Sequence, residues 1–331
     1  MHTSQEPLGS LSAALRQRFA QIGPVWGRDI NAHRDLVIDA YAPLVAAARD
    51  AGEELFEAAR DVAYGGHERQ RLDVFASRQT RREGHADVVL FVHGGAFLRG
   101  SKSFDGLIYD NVPRWFARRG CVALNVEYRL APGAPYPAGA DDVAAALAWA
   151  QAHVAEFGGN PRRIFLVGHS AGGAHVATYL GDPLFADLRE RTPAVAGAVL
   201  ISARLVADVH ADNPNAAGVR AYFGADETRY AARSPLTHAA RIDAPLMVVV
   251  AEYENPYLDA YGAAFFARVL EARQRADAAA ANVAVNAAVN VAVKRAPRFM
   301  QMLRHNHTSV VAHFDSGETL LGDAMLDFFG A

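Results

Sequence analysis

The sequence predicts an α/β protein with a mostly parallel β-sheet flanked by helices. Apolar runs rich in β-branched residues recur along the chain, and each is followed by a segment of helical character. The runs are nearly continuous in apolar residues, as expected of strands that are buried on both faces. The six strands predicted in this way are 88–92, 121–126, 164–167, 195–201, 246–251 and 299–303.

Further elements are predicted around these runs. Residues 1–55 are amphipathic and helical in character, and they predict an N-terminal helical cap over the sheet or the mouth of a cleft. The short runs 61–64 and 71–75 flank a Gly-Gly turn region, which favours an antiparallel edge to the sheet. The segment 141–157 is rich in Ala and Leu and is followed by two glycines, a pattern that predicts a helix.

We expect residues 56–331 to form one domain, with two segments that depart from the strand-helix rhythm. Residues 204–240 contain Asn-Pro and Ser-Pro pairs and few long apolar runs, which predicts loops and short helices inserted after a strand. Such an insertion would shape a pocket. Residues 276–293 are rich in Ala, Val and Asn, with asparagines spaced by four, and predict a low-complexity insertion, either a surface helix or disordered.

Composition places the chain among ordinary globular proteins and excludes several functional classes. The 331 residues are 51% hydrophobic and 21% charged, with a formal net charge of -3. Because 33 Lys and Arg residues face 36 Asp and Glu residues, no basic excess is available for nucleic-acid binding. The single cysteine, Cys121, excludes an internal disulfide and a cysteine-rich metal site, and its apolar neighbours predict a buried side chain.

The N-terminal residues and the hydropathy of the chain predict a cytoplasmic protein without membrane association. The first twenty residues carry polar and charged side chains where a signal peptide has an apolar stretch. No stretch forms an uncharged apolar run of about 18 residues, the length that a spanning helix needs.

A predicted strand-to-helix turn carries the strongest chemical signal. The strand 164–167 is followed by the sequence GHSAG at 168–172 and then by a helix, which is G-x-S-x-G in the context that it requires. Glycines flank the serine because larger side chains would collide with the strand and helix backbones. We therefore predict that Ser170 projects above the sheet as a nucleophile.

A second glycine motif ends the strand 88–92. The sequence there is HGGA at 93–96, and glycines let the backbone amides approach the oxygen that becomes negative in acyl transfer. The amides of Gly94 and Gly95, together with that of Ala171, fit this need. His93 is expected to brace the loop rather than to react.

A serine nucleophile needs an acid that orients its base, and in this architecture the acid precedes the histidine. After the strand 246–251 the sequence reads EYENP, which places carboxylates at the same sheet edge as the serine. Glu254 is favoured because it lies deeper in the loop. Glu252 and Asp259 are the alternatives.

The base is expected in a loop after the last strand, where the sequence reads HNHTS at 305–309. His305, His307 and His313 are candidates. His307 is favoured because it precedes a predicted helix start, with Thr308 or Ser309 as the capping residue. No third ligand lies at metal-binding spacing from His305 and His307, and no phosphate loop is visible, so neither a metal nor a cofactor is expected.

These motifs together resemble the α/β-hydrolase superfamily, and within it the carboxylesterases of the hormone-sensitive-lipase and kynurenine-formamidase-like branches. The resemblance covers about residues 60 to 331 and includes VEYRLAPGAPYPAGADDV at 126–143 and NPRRIFLVGHSAGG at 160–173. It implies the α/β-hydrolase fold, with a mostly parallel eight-stranded sheet, flanking helices and an N-terminal helical cap. It also implies a catalytic triad of Ser170, Glu254 and His307, and an oxyanion hole formed by the amides of Gly94, Gly95 and Ala171.

The chain departs from the family pattern at three positions. Ala96 stands where the lipase branch commonly has a third glycine, and His169 replaces the usual acidic residue before the serine. The acid loop more often carries Asp than Glu, and Glu254 is one methylene longer. Its loop must therefore hold the carboxylate slightly further back.

The expected activity is that of a metal-free serine carboxylic-ester hydrolase, acting on small to medium acyl esters through an acyl-enzyme on Ser170. An arylformamidase with the same triad is the first alternative, and a non-catalytic ligand-binding protein is the second. Arg204, Tyr222 and Phe223 are expected to line an apolar or acid-recognising pocket. A small-molecule ester is the expected partner, and assembly is open, with a homodimer as the candidate considered.

Overall fold

The computed structural model describes residues 3–52, 56–287 and 296–330, and an eight-stranded sheet forms its centre. The strands are β1 (Phe56–Ala63), β2 (Arg71–Ser77), β3 (Ala86–Val92), β4 (Val122–Val126), β5 (Gly159–His169), β6 (Gly197–Ile201), β7 (Leu246–Tyr253) and β8 (Arg298–Asn306). Their order is β1-β2-β4-β3-β5-β6-β7-β8. Strand β2 is antiparallel to both of its neighbours, β1 and β4, and all other neighbouring strands are parallel.

Helices cover both faces of this sheet. They are α1 (Ala13–Ile22), α2 (Ile30–Asp50), α3 (Arg78–Glu83), α4 (Asn111–Ala117), α5 (Ala138–His153), α6 (Ala171–Gly181), α7 (Ala186–Arg191), α8 (Ala216–Phe223), α9 (Tyr230–Arg233), α10 (Pro235–His238), α11 (Leu258–Ala287), α12 (Ser309–Ala312) and α13 (Leu320–Gly330). Along β3, Val88 and Leu90 pack with α5 and α6, whereas Val89 and Phe91 pack with α4 and α13. Both faces of the strand are buried, which explains its continuous apolar sequence.

The eight strands implied by the sequence are all present, and the fold class is confirmed. Strand β5 is longer than the predicted run and begins at Gly159. The helix predicted at 141–157 starts earlier, at Ala138, and ends in a 3₁₀ turn at Val154–Phe157. The segment 204–240 forms loops and short helices, as predicted. Within 276–293, helix α11 extends to Ala287, and the remainder lies outside the described residues.

The N-terminal segment is helical and packs against the loop that follows β7. The Trp26 indole N–H donates to Asn255 Oδ1 at 2.9 Å. A Cβ placed on Gly23 would lie 2.4 Å from the ring of Tyr253, so the backbone of this segment lies directly against that ring. Trp26 is itself buried and stacks with the ring of His33. Residues 3–52 therefore contact the edge of the sheet where the parallel strands end.

Gly172 marks the closest approach between helix α6 and the end of β3. A Cβ at this position would lie 2.2 Å from the carbonyl oxygen of Val92 and 2.4 Å from that of His93. We expect Gly172→Ala to lower the free energy of unfolding by about 1–3 kcal/mol, because the helix must move away from the strand. This decrease in stability should be measurable even though alanine favours the helix over glycine by about 1 kcal/mol.

The measurement is urea unfolding followed by circular dichroism, with Gly66→Ala as the matched control. Nothing lies within 4 Å of a Cβ at Gly66, so that variant should unfold like the wild type. Equal unfolding midpoints for the two variants would contradict the close contact between α6 and β3.

Candidate active site

Ser170 occupies the turn between β5 and α6 in a conformation that few non-glycine residues adopt. Its φ is 54° and its ψ is -117°. A Cβ on Gly168 would lie 2.6 Å from the Cα of Gly173, and a Cβ on Gly173 would lie 2.6 Å from the Cβ of Ala203. The flanking glycines therefore let the strand and the helix meet closely, and the turn between them projects the serine above the sheet.

Three side chains from three loops form one hydrogen-bonded chain. Ser170 Oγ lies 3.1 Å from His307 Nε2, and His307 Nδ1 lies 2.7 Å from Glu254 Oε2. An ionised carboxylate only accepts hydrogen bonds, so the Nδ1–H of His307 donates to Glu254. In a neutral ring Nε2 is then the acceptor, and the Ser170 hydroxyl donates to it. The structure thus brings together the three residues that the sequence singled out.

Glu254 is fixed by bonds to the backbone of its own strand. Its side chain is only 2% exposed, and Oε1 accepts the backbone N–H of Ala251 at 2.8 Å. The hydroxyl of Ser202, directly after β6, donates to the same oxygen. The carboxylate is therefore folded back onto its strand, which accommodates the extra methylene of Glu. Sequence reasoning missed Ser202, although a serine directly after a buried strand was the available signal.

The alternative acids are held elsewhere. Glu252 accepts the backbone N–H of Arg304 at 2.5 Å. Asp259 is exposed in the first turn of α11. Neither carboxylate is part of the chain that runs from Glu254 to Ser170.

The alternative histidines are buried behind His307 and have other partners. His305 Nε2 lies 2.8 Å from Glu318 Oε1, with both side chains fully buried. His313 Nδ1 donates to the carbonyl oxygen of Ser309 at 2.9 Å. Of the three candidates, only His307 reaches Ser170.

Thr308 is the N-cap residue of α12, which confirms one of the two predicted alternatives, but the capping bonds come from another side chain. Asn306 Oδ1 accepts the backbone N–H groups of Thr308 at 3.1 Å and Ser309 at 2.9 Å, and so caps helix α12. The Thr308 side chain makes no capping bond, and Ser309 Oγ instead accepts the backbone N–H of Asn306 at 2.9 Å. Asparagine is among the strongest capping residues. The backbone on both sides of His307 is therefore held by hydrogen bonds.

The glycine loop after β3 runs beside Ser170. A Cβ on Gly94 would lie 3.1 Å from the Cβ of Ser170, and Gly95 has a φ of 144° that favours glycine. Ala171 is the first residue of α6, and amides in the first turn have no acceptor within their own helix. Gly94 and Ala171 therefore lie directly beside the serine, and Gly95 follows Gly94 in the same loop.

His93 braces this loop, as its position suggested. Its Nδ1 faces the carbonyl oxygen of Gly94, and its Nε2 lies 3.2 Å from Glu127 Oε1. The ring stacks on Tyr128 at a centroid distance of 4.4 Å. Burial raises the pKa of Glu127, but the bonds from His93 and from the backbone N–H of Lys102 outweigh it and lower that pKa overall.

The expected pocket residues are buried, and one of them is already paired. The Arg204 guanidinium donates to Asp208 at 2.8 Å, with both side chains nearly inaccessible. Its charge is thus neutralised within the protein, which corrects the expectation that Arg204 recognises an acid. Tyr222 and Phe223 pack against Phe97, and the Tyr222 and Phe97 rings are parallel at 4.7 Å.

Helix α8 lies directly on the glycine loop. A Cβ on Gly218 would be 2.0 Å from the carbonyl oxygen of Ala96. The segment 204–240 therefore reaches the loop beside Ser170 and presents its aromatic cluster there. Cys121 is buried as predicted, and burial raises the pKa of its thiol to about 12.

Two features of the described residues bear on cofactors and membranes. In the described ranges, no group of three or more His, Cys, Asp or Glu side chains could hold a metal ion. No helix in that part of the chain combines the length and apolar character needed to cross a membrane.

The family comparison covers most of the predicted domain. Residues 89–300 match the profile of a protein family described as "alpha/beta hydrolase fold". That match includes Ser170, Glu254 and the glycine loop, and it ends before His307.

Curated relatives carry esterase names. Esterase LipC of Mycobacterium tuberculosis is 38% identical over 146 residues, which are 43% of this chain and 35% of that protein. Carboxylesterase NlhH of the same species is 42% identical over 103 residues, or 29% of this chain and 31% of that protein. The chain thus spans about a third of the length of these relatives.

Solved structures resemble nearly the whole chain in fold. An esterase of Pyrobaculum calidifontis superposes with a TM-score of 0.60 at 22% identity, covering 97% of this chain and 96% of that chain. Esterase B of Lactobacillus rhamnosis superposes with a TM-score of 0.60 at 19% identity, covering 88% and 94%. At these identities the likeness concerns the fold.

The loop behind His307 contains a buried hydrogen bond between His305 and Glu318, and this bond generates a test. Burial raises the pKa of Glu318, but His313 and His305 outweigh it and lower that pKa overall. A carboxyl group with a lowered folded-state pKa stabilises the protein above its unfolded pKa of about 4.3, and the contribution is lost as the pH falls. We expect Glu318→Gln to lower the free energy of unfolding by about 1–3 kcal/mol at pH 7.

The loss should shrink only as the pH falls below about 4.3, where the unfolded-state carboxyl becomes protonated while the folded one is still ionised. Urea unfolding of both proteins between pH 3 and pH 8 measures this, with the exposed Glu271→Gln as the control. A difference that stays constant across this range would refute the stabilising role of the Glu318 carboxylate.

Proposed function

The chain belongs to the alpha/beta hydrolase fold family, and from that premise we propose that it is a serine hydrolase of carboxylic esters. The hydrogen-bonded chain from Ser170 through His307 to Glu254 is the observation that carries this proposal. The esterase names of its relatives support the same reaction class. Small to medium acyl esters are the proposed substrates.

The proposed reaction begins when Ser170 Oγ attacks the ester carbonyl. His307 Nε2 takes the hydroxyl proton, because it is the acceptor of the Ser170 hydrogen bond. Glu254 holds the imidazole through Nδ1 and stabilises its cation, and burial of the carboxylate strengthens that interaction. His307 then protonates the leaving alkoxide, and an acyl-enzyme remains on Ser170.

Backbone amides are proposed to stabilise the negative oxygen of the tetrahedral intermediate. Gly95 and Ala171 supply two donors, and Gly94 is the neighbouring third. Water activated by His307 then attacks the acyl-enzyme and releases the acid. Each amide contributes without rearrangement because the loop is held by His93 and Glu127.

The alternatives from the sequence receive no added support. The esterase names of the two relatives do not favour a formamidase, and the intact hydrogen-bonded chain does not favour a purely binding role. A cytoplasmic location and a homodimer stay predictions of the sequence.

The proposal is tested with purified protein and p-nitrophenyl acetate, butyrate and octanoate. We expect Ser170→Ala and His307→Ala to lower kcat by about 10⁴-fold or more, because each removes a reacting group. Glu254→Gln should lower kcat by about 10⁴-fold, since an amide favours the wrong tautomer of His307. The exposed variants His153→Ala and Glu271→Gln are the matched controls.

Wild-type turnover that falls with chain length would support the small to medium acyl range. A wild-type protein that is inert on all three esters but cleaves N-formylkynurenine would replace the ester proposal with the formamidase alternative. Full activity of Ser170→Ala would exclude Ser170 as the nucleophile.

A further inference from the structure

His169, the residue before Ser170, bridges two groups that the proposed triad does not include. Its Nδ1 lies 3.1 Å from the hydroxyl oxygen of Tyr109, and its Nε2 lies 3.0 Å from the backbone carbonyl oxygen of His307. The His169 side chain is buried, and its ring centroid lies 5.0 Å from that of His307. The imidazole therefore contacts the backbone of the proposed base, not its ring nitrogens.

The direction of each hydrogen bond follows from the chemistry of the partners. A carbonyl oxygen only accepts, so the proton of His169 lies on Nε2 and is donated to His307. Burial lowers the pKa of His169 well below its ordinary value, and the nearby His307 adds to that effect. The neutral ring has one N–H, so Nδ1 is the acceptor and the Tyr109 hydroxyl donates to it.

The other side of the Tyr109 hydroxyl faces the glycine loop. A Cβ on Gly94 would lie 3.0 Å from the Tyr109 oxygen and 2.9 Å from His169 Nδ1. Burial raises the pKa of Tyr109 to about 12. The hydroxyl thus gives its proton to His169 and lies directly against the glycine loop at Gly94.

These contacts join four segments that come from distant parts of the chain. Gly94 after β3 lies against Tyr109 before α4, Tyr109 bonds to His169 at the end of β5, and His169 bonds to His307 after β8. The first of these segments carries the proposed anion-binding amides and the last carries the proposed base. An acidic side chain at position 169 would have no proton to donate to the His307 carbonyl.

We propose that Tyr109 and His169 are positioning residues, which fix the backbone of His307 relative to the glycine loop. The inference rests on the proposed ester hydrolysis. Both residues act through their neighbours and do not touch the reacting atoms. Both residues are needed for this role, because Tyr109 orients the His169 ring and His169 in turn holds the backbone carbonyl of His307.

The kinetic test is a double-mutant cycle with Tyr109→Phe and His169→Leu. We expect Tyr109→Phe to lower kcat about tenfold in the wild type, because His307 loses part of the support that holds it in position, with little change in KM. In the His169→Leu background the same change should have less than about a twofold effect, because the bond is already gone. His169→Gln, which retains an N–H donor, should recover most of the activity lost in His169→Leu.

Two variants serve as controls. Tyr179→Phe removes the hydroxyl of a buried tyrosine near the end of α6 that interacts with Thr192, and His153→Gln changes an exposed histidine. Additive effects of Tyr109→Phe and His169→Leu would overturn the proposal. It would equally fail if His169→Leu kept its kcat and only unfolded at lower temperature, which is the result of a purely structural role.

A second measurement is independent of turnover and separates this inference from the proposed function. In protein labelled with ¹⁵N-histidine, we expect NMR to show His169 protonated on Nε2 and unprotonated on Nδ1. Tyr109→Phe should shift the Nδ1 resonance, because that nitrogen loses its donor. A wild type inert on esters with this NMR result would reject the function and keep the hydrogen-bonded link, whereas protonation on Nδ1 would reject the link itself.

Discussion

The turn at Ser170 is the constraint on which the rest of the site depends. A non-glycine residue held at a φ of 54° is strained, so the surrounding structure must stabilise that conformation. The backbone N–H of Ser170 donates to the carbonyl oxygen of Ile201, the last residue of β6, and the Ser170 carbonyl accepts from the N–H of Arg204 just after that strand. Glycines at 168, 172 and 173 allow the neighbouring backbones to press against the turn. Strand β6 thus stabilises the turn although it supplies no reacting group.

Parallel strands explain why the functional side chains meet. The carboxyl ends of β3, β5, β6, β7 and β8 lie along one edge of the sheet, and each is followed within a few residues by a group of the site. A residue that directly follows such a strand therefore lies at this edge of the sheet. For this reason Ser170, Glu254 and His307 could be selected from their places after predicted strands, before any distance was known.

The features that the sequence did not reveal are bonds between side chains far apart in the chain. Ser202 contacts Glu254 across two neighbouring strands, and Tyr109 meets His169 from 60 residues away. Such contacts depend on the register of the sheet and on the rotamers of buried side chains, and neither follows from local patterns. The pairing of Arg204 with Asp208 joins residues that are close in sequence, but the sequence does not show that it forms. An arginine near a site suggests a ligand, and only the buried contact with Asp208 shows that its charge is already neutralised.

The contact of the N-terminal segment with the loop after β7 has a consequence for the order in which this protein is made. Trp26 and Asn255 are 229 residues apart, and Ser4 bonds to Gly317 and Thr319 at the other end of the chain. During translation these N-terminal helices leave the ribosome long before Asn255, Gly317 and Thr319 are synthesised. Contacts of such long sequence separation slow folding. The N-terminal segment can therefore complete its packing only after residues 255–319 have emerged, and until then its unpaired apolar surface is a candidate site for chaperone binding.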